Sequence, residues 1–383
     1  MRLSRLHRIL VSAALAMVMG AVDAGPLEEI KPGHWYEVPN SKLRNLDPCP
    51  KRECKYSAVE GVTGVIDDWN GGAFASRFGA RGGYIVWGGG HNGYFGNELY
   101  VFDVAKLAWQ RVTEPVADPV CDYKEGELQN GSPCAAHSYD YVDYHPATNS
   151  FVKLGSTSNH LQGGGGSPRV HLFSFDTQRW RRGARREHFN DQTGASSAYD
   201  PNRDVFWFLA PYRNWFSKYD PNADNGAGAW TSFQNYHVEI DAVAAIDPVR
   251  DLYVAIEGRE THRVIVFDLK NPTREPVLVS TVGDAILQQN KGHGFEWDPV
   301  NKLFVGWGGG TAVYTLRPPE KKWQTQPWRW TKREAAPDNR VTPGPENERG
   351  TYSRWRHVPA QDLWIVVNGV DTNVFFYRLN TAP

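Results

Sequence analysis

The chain has 383 residues, of which 13% are aromatic and 22% charged, with 42 basic against 43 acidic side chains. That balance excludes a surface built for nucleic acid or for anionic membranes in general, and a polyanion would need a local basic patch. With 37 Gly and 25 Pro and no long amphipathic helical pattern, the chain reads as short strands joined by many turns.

In chain order, Arg2, Arg5 and Arg8 precede an apolar run from Ile9 to Ala21, and Val22-Asp23-Ala24 supplies small residues for cleavage. Residues 1–24 are therefore expected to be a signal peptide, with an apolar part too short to span a bilayer. Gly25 rather than Cys follows, so no lipid anchor is expected, and no later run approaches the roughly 18 apolar residues of a membrane helix. The expectation is an exported monomer, periplasmic or extracellular, without membrane insertion or a nucleic-acid partner. Cys49, Cys54, Cys121 and Cys134 then meet oxidising conditions and are expected to form two disulfides. Of the three connectivities, the local pairs 49–54 and 121–134 are preferred because each closes one loop. Zinc is the rival use, but neither spacing is a usual finger spacing.

A unit recurs along the rest of the chain. YHPATNSFVKL (144–154), YDPNRDVFWFL (199–209), IDPVRDLYVAI (246–256), WDPVNKLFVGW (297–307) and HVPAQDLWIVV (357–367) share a polar turn followed by an apolar run. AFASRFGARGGYIVWGGG (73–90) is a sixth copy with a lengthened turn. Several copies continue through a second apolar run to a tryptophan: Trp109, Trp180, Trp230 and Trp323. Four strands, a to d, in about fifty residues are the arithmetic of a β-propeller. Residues 25–383 are expected to form a single all-β propeller domain of six blades, or seven if residues 113–134 or 328–350 hide a weak one. The last copy lacks strand d, and HWYEVPN (34–40), with Trp35, is expected to supply it and close the ring. The pattern resembles the kelch family of propellers, with paired glycines after strand b at Gly88, Gly163 and Gly308 and an aromatic-to-tryptophan spacing in strands c and d.

Strand direction divides the disc. The a–b turns, many of them Asp-Pro, share one face and are expected to be compact. The b–c loops and d–a connections share the other face. That second face collects His91, Asn92 and Tyr94 from WGGGHNGYFGNELYVFD, then Asn159, His160 and Arg169, Tyr212, Arg213 and Asn214, and Glu257, Arg259 and His262. The approaches to strand a add Trp69, Asn70, His137, Tyr139, Gln192, Glu239, Asp241, Asn290, His293, Tyr352, Arg354 and Arg356. A funnel mouth rich in His, Arg, Asn and Tyr is the expected place for a ligand. His145, His171, His188 and His357 read as structural, as do the Asp-Pro aspartates. Arg354 and Arg356, two apart on one strand, are expected to point the same way and to need an anion or carboxylate between them, Glu348 or a substrate.

No second acidic site stands opposite Glu239 and Asp241, which disfavours a two-carboxylate glycosidase. No Gly-x-Ser-x-Gly elbow is present. His, Tyr and Arg together suit β-elimination at a uronic acid without a cofactor. One group neutralises the carboxylate, a neutral His or an ionised Tyr takes the C5 proton, and a Tyr or His protonates the leaving oxygen. The stretches WGGGHNGYFGNELYVFD and RGTYSRWRHVP resemble motifs of exported bacterial kelch-like propellers, some of which are lyases acting on ulvan or rhamnose–glucuronate linkages. The resemblance implies His, Tyr and Arg acting in the funnel. His91 and His137 are assigned as base and charge neutraliser in either order, Tyr139 as acid with Tyr94 second, and Arg354 and Arg356 as the carboxylate grip. His293, Asn92, Asn70, Tyr212 and Arg213 are assigned as substrate contacts. The alternatives are a non-catalytic propeller that binds glycan or protein through Tyr94, Tyr212 and Trp215, and a hydrolase or oxidase with a metal held by funnel histidines.

Overall fold

The computed structural model describes residues 25–381 except 91–92, 123, 156–168, 188–192, 212–213, 260 and 285–291. Six antiparallel sheets form six blades, and their innermost strands touch one another in a closed ring. Those inner strands are Gly72–Ala75, Val142–His145, Ser196–Asp200, Val243–Asp247, Gly294–Asp298 and Arg356–Val358, in blades 1 to 6. Strand b of blades 3, 4 and 5 (Val205–Leu209, Leu252–Ile256, Leu303–Trp307) is buried at every residue. A central strand covered on both faces by neighbouring blades needs apolar side chains in both directions, so its sequence is a continuous apolar run rather than an alternation. By contrast, strand d of blade 2, Arg179–Arg185, lies at the rim and mixes exposed arginines with buried positions.

The a–b turns show why the repeated unit is so regular. The Asp247 carboxylate accepts hydrogen bonds from the backbone N–H groups of Val249 and Arg250 at 2.9 and 3.1 Å, and Asp298 does the same for Val300 and Asn301 at 2.8 and 2.9 Å. The sixth position of each of the five regular units is left-handed: Asn149, Asp204, Asp251, Lys302 and Asp362 have φ of 48°, 55°, 59°, 54° and 51°. A tight turn followed by one left-handed residue gives the hairpin the twist that its strands require.

Trp35–Glu37 pairs with Phe375–Tyr377, Trp35 opposite Tyr377, so the N-terminal segment completes blade 6 as expected. Among the described residues, 113–134 hold only a two-stranded ribbon, Cys121–Asp122 with Glu127–Leu128, and add no seventh blade. In blade 5 the outer strand begins at Trp328 rather than at Trp323, because the c–d turn is longer than the Trp spacing suggested. Thr281–Gly283 joins that strand in parallel as a fifth member of the sheet. Both local disulfides, Cys49–Cys54 and Cys121–Cys134, are present.

Blade 2 carries a buried charged cluster. Lys153 and His171 are cross-strand neighbours, both fully buried, and the Lys153 ammonium lies 5.9 Å from the Trp87 ring centre. His171 Nε2 is 3.0 Å from Glu127, which also pairs with Arg182. Burial pushes Lys153 down to about 7 and His171 down to about 4. A basic group whose value falls on folding binds fewer protons in the folded state, so stability is lost as pH falls, from the ordinary lysine value to about 7 and from the ordinary histidine value to about 4. Lys153→Met is therefore expected to raise the melting temperature at pH 6 and to flatten its rise between pH 7 and 10. A pH profile parallel to that of the parent protein would show that the ammonium is compensated.

Candidate functional site at the mouth of the propeller

The glycines of WGGGHNG make room for specific side chains. A β-carbon on Gly90, which has φ +100°, would stand 2.8 Å from His137 Cδ2. One on Gly93 would stand 2.1 Å from Asp68 Oδ2, and one on Gly88 2.2 Å from the Asn70 side chain. The backbone of this b–c loop thus lies directly against three residues of the d–a connections. His91 and Asn92, between those glycines, fall outside the described residues, as do Asn159, His160, Tyr212, Arg213, Gln192, Asn290 and His188.

The mouth is a chain of rings with charges at its ends. The Trp69 and His137 rings stack at 5.0 Å and 8°. His137 is 5.6 Å from the Tyr139 ring, which meets Tyr352 edge-on at 5.5 Å. The Tyr352 hydroxyl donates to Asp241 at 2.8 Å, and Arg259 donates to the other oxygen of the same carboxylate at 2.8 Å. On the far side of Trp69, the Arg349 guanidinium lies 4.8 Å from the ring centre and donates to Asp68 at 2.6 Å and to Glu60 at 3.3 Å. Four of these residues hold left-handed backbone without being glycine: Trp69 (φ 52°), Tyr139 (39°), Asp241 (62°) and Tyr352 (49°). For bulky side chains that conformation costs about 1–3 kcal/mol each and persists only where the surroundings enforce it. All four lie on approaches to inner strands.

Burial, and then the nearby Glu60 carboxylate, pushes Asp68 up to about 8, so this carboxyl group holds a proton near neutral pH. Burial and Asp241 hold the Tyr352 phenol well above its ordinary value, which makes it a donor and not a base. Asp68, Glu60 and Arg349 were missed in the sequence because 281 and 289 residues separate the arginine from its two partners. Glu60 and Asp68 share one arginine rather than flanking an open gap, so they do not form a hydrolytic carboxylate pair.

Other expected site residues serve the framework. Tyr94 is 1% exposed and its hydroxyl donates to Glu98 at 2.6 Å; burial and that carboxylate drive its phenol far above the ordinary value. Asn70 donates to Gly64 and accepts from Ser138 N–H. His293 is 4% exposed and faces Glu346 at 2.8 Å. Arg169 pairs with Glu125, and Glu257 with Arg263. His145 is bonded to Asp204 and His357 to Asp362, in the structural manner expected.

Arg354 and Arg356 do not point the same way. Arg354 sits in a tight helical turn, Tyr352–Arg354, so the two-residue alternation of a strand does not apply to it. Its guanidinium is fully buried and donates to the carbonyls of Val367, Ile66, Asn70 and Gly350. Arg356 instead enters the central channel, donating to the carbonyls of Ser353, Gly72 and Val142. Asp143 at 3.8 Å and Glu296 at 3.6 Å flank it, where Glu348 or a substrate is the expectation from sequence. Burial raises both carboxyl groups while Arg356 opposes the shift. A cavity of about 240 Å³ opens beside this trio on the face of the a–b turns, lined also by Tyr144, Tyr199 and Trp297. That face is therefore less compact than expected. Near it, Asp298, His357 and Asp362 bring donor atoms within 4.8 Å of one another. Asp298 there caps its turn and His357 bonds Asp362, so both have structural work already.

The chain matches no family model and no curated protein. Among solved structures it is similar to an auxiliary nutrient binding protein from Bacteroides thetaiotaomicron, at 10% identity and a TM-score of 0.39, over 58% of this chain and 53% of that one. The chain thus spans about half the length of that protein. It is also similar to a gluconolactonase from Xanthomonas campestris, at 11% identity and a TM-score of 0.48, over 82% of this chain and 88% of that one.

Proposed function

We propose that the mouth receives an acidic glycan and cleaves it by β-elimination at a uronate residue. The observation that carries this reading is the strained row of residues that runs from Trp69 past His137 to Tyr139, Tyr352 and Asp241. Four left-handed non-glycine residues on separate approaches are a cost that a purely structural cap does not require. The resemblance of the two quoted motifs to those of exported kelch-like propellers, some of which are lyases, supports the same reading.

In this reading His137 is the base or charge neutraliser together with His91, which follows Gly90 directly in sequence. Tyr139 remains the acid, and the protonated Asp68 is a second proton donor. The grip on the carboxylate passes from Arg354 and Arg356, whose donors are spent on backbone, to Arg349 and Arg259. Their side chains are 36% and 48% exposed. His137 is 3% exposed, so the reading requires the Gly88–Gly90 backbone to yield when a sugar enters. No metal or other cofactor is needed for the step: the C5 proton leaves to the base, the C4–O bond breaks, and the leaving oxygen takes a proton from the acid.

The test is a panel of uronate polysaccharides incubated with the purified protein, read by ultraviolet absorbance of the unsaturated product and by calorimetric binding. Absorbance growth on one class of uronate is the expected result. Saturable binding without absorbance would replace the lyase by a glycan-binding propeller. No heat and no absorbance across the panel would remove the glycan reading.

A further inference from the structure

Arg354 and Arg356 show how this fold treats a buried guanidinium: each is ringed by oxygen atoms. Arg186 breaks the pattern. It lies just past strand d of blade 2, Arg179–Arg185, in the seam with blade 3, and is 1% exposed. Its guanidinium carbon is 4.5 Å from the centre of the Phe208 ring and 5.7 Å from that of Trp230. Among the described residues none of its three nitrogens has a hydrogen-bond acceptor, and the buried indole N–H of Trp230 has none either. Burial lowers Arg186 to about 9, which leaves it charged at neutral pH.

The imbalance is large. Two aromatic faces return only a small part of what burying an uncompensated charge costs. A guanidinium and an indole N–H are both pure donors, so what is missing is an acceptor that carries charge. We infer that the seam between blades 2 and 3 holds a small monovalent anion, bonded by the Arg186 guanidinium and the Trp230 N–H. A single positive charge among aromatic walls sets the valence, because a dianion would leave a buried negative charge unpaired. A halide and a carboxylate share the required chemistry. The inference does not depend on the glycan reading and would survive its failure.

The experiment has two parts. Crystals soaked in sodium bromide are expected to give an anomalous peak within hydrogen-bonding distance of the Arg186 guanidinium and of Trp230 Nε1. At constant ionic strength, chloride or acetate is expected to raise the melting temperature saturably while sulfate does not, and Arg186→Met is expected to abolish the difference. Chloride acting alone identifies a halide site, and acetate acting alone a carboxylate site. If Arg186→Met does not fold, Arg186→Lys serves instead, with the half-saturating anion concentration expected to rise at least tenfold. No bromide at Arg186 together with no rise in melting temperature from acetate in the parent protein, or an anion dependence that persists unchanged in either variant, overturns the inference.

Discussion

Arg356→Met is expected to lower the folding free energy by about 3–5 kcal/mol, the usual cost of removing one partner from a buried charge set. The reason lies in what surrounds the guanidinium. Its donors satisfy carbonyls of blades 1 and 2 and of its own approach, Gly72, Val142 and Ser353. Asp143 comes from blade 2 and Glu296 from blade 5, and Glu296 in turn accepts the N–H of His357 in blade 6 at 2.6 Å. One side chain therefore ties four blades together at the axis, in the place where a bound cation would do similar work. Removing it strands two carboxylates and several carbonyls in a partly buried channel. Adding Asp143→Asn and Glu296→Gln to Arg356→Met is expected to recover part of the loss, because the repelling charges go with the arginine. Urea unfolding of the single and triple variants measures both terms. A single variant within about 1 kcal/mol of the parent, with weakened glycan affinity instead, would return Arg356 to the role of substrate contact.

His137→Phe is the second large effect. A phenyl ring keeps the stack on Trp69 at a similar size, so the fold and the mouth are expected to survive. Both ring nitrogens are lost, however, and with them the proposed proton acceptor. The expected result is a fall in kcat of about 10²- to 10⁴-fold, the usual share of a positioned acid–base group, with KM changed far less. Elimination that continues near the parent rate in His137→Phe would leave the imidazole as a wall of the mouth and move the chemistry elsewhere.

What the sequence made legible was local or periodic. An aspartate two residues before a free N–H caps its own turn whatever the rest of the chain does, which is why the Asp-Pro units located the inner strands correctly. The missing outer strand of the last unit was equally readable, since an open edge demands a partner and only the N-terminal segment offered one. Side-chain direction at the mouth was not legible. Spacing alone makes Arg354 a strand residue, whereas a single helical turn directs it onto four carbonyls. Tyr94 sits in the glycine loop beside the mouth, yet its ring turns inward to Glu98, a contact that packing decides and spacing does not. The Asp68–Glu60–Arg349 group depends on the ring being closed, because its members come from opposite ends of the chain.

That closure constrains the order of events in biosynthesis. Trp35 pairs with Tyr377, so the strand at residues 35–37 must wait until residues 375–377 have been made before it finds its place. Until then five blades can form while the sixth has no rim, and the circle gapes between its first and last members. A pause or truncation before residues 375–377 would thus leave an otherwise well-formed arc with a sticky margin, the state in which quality-control proteases and neighbouring arcs would find it.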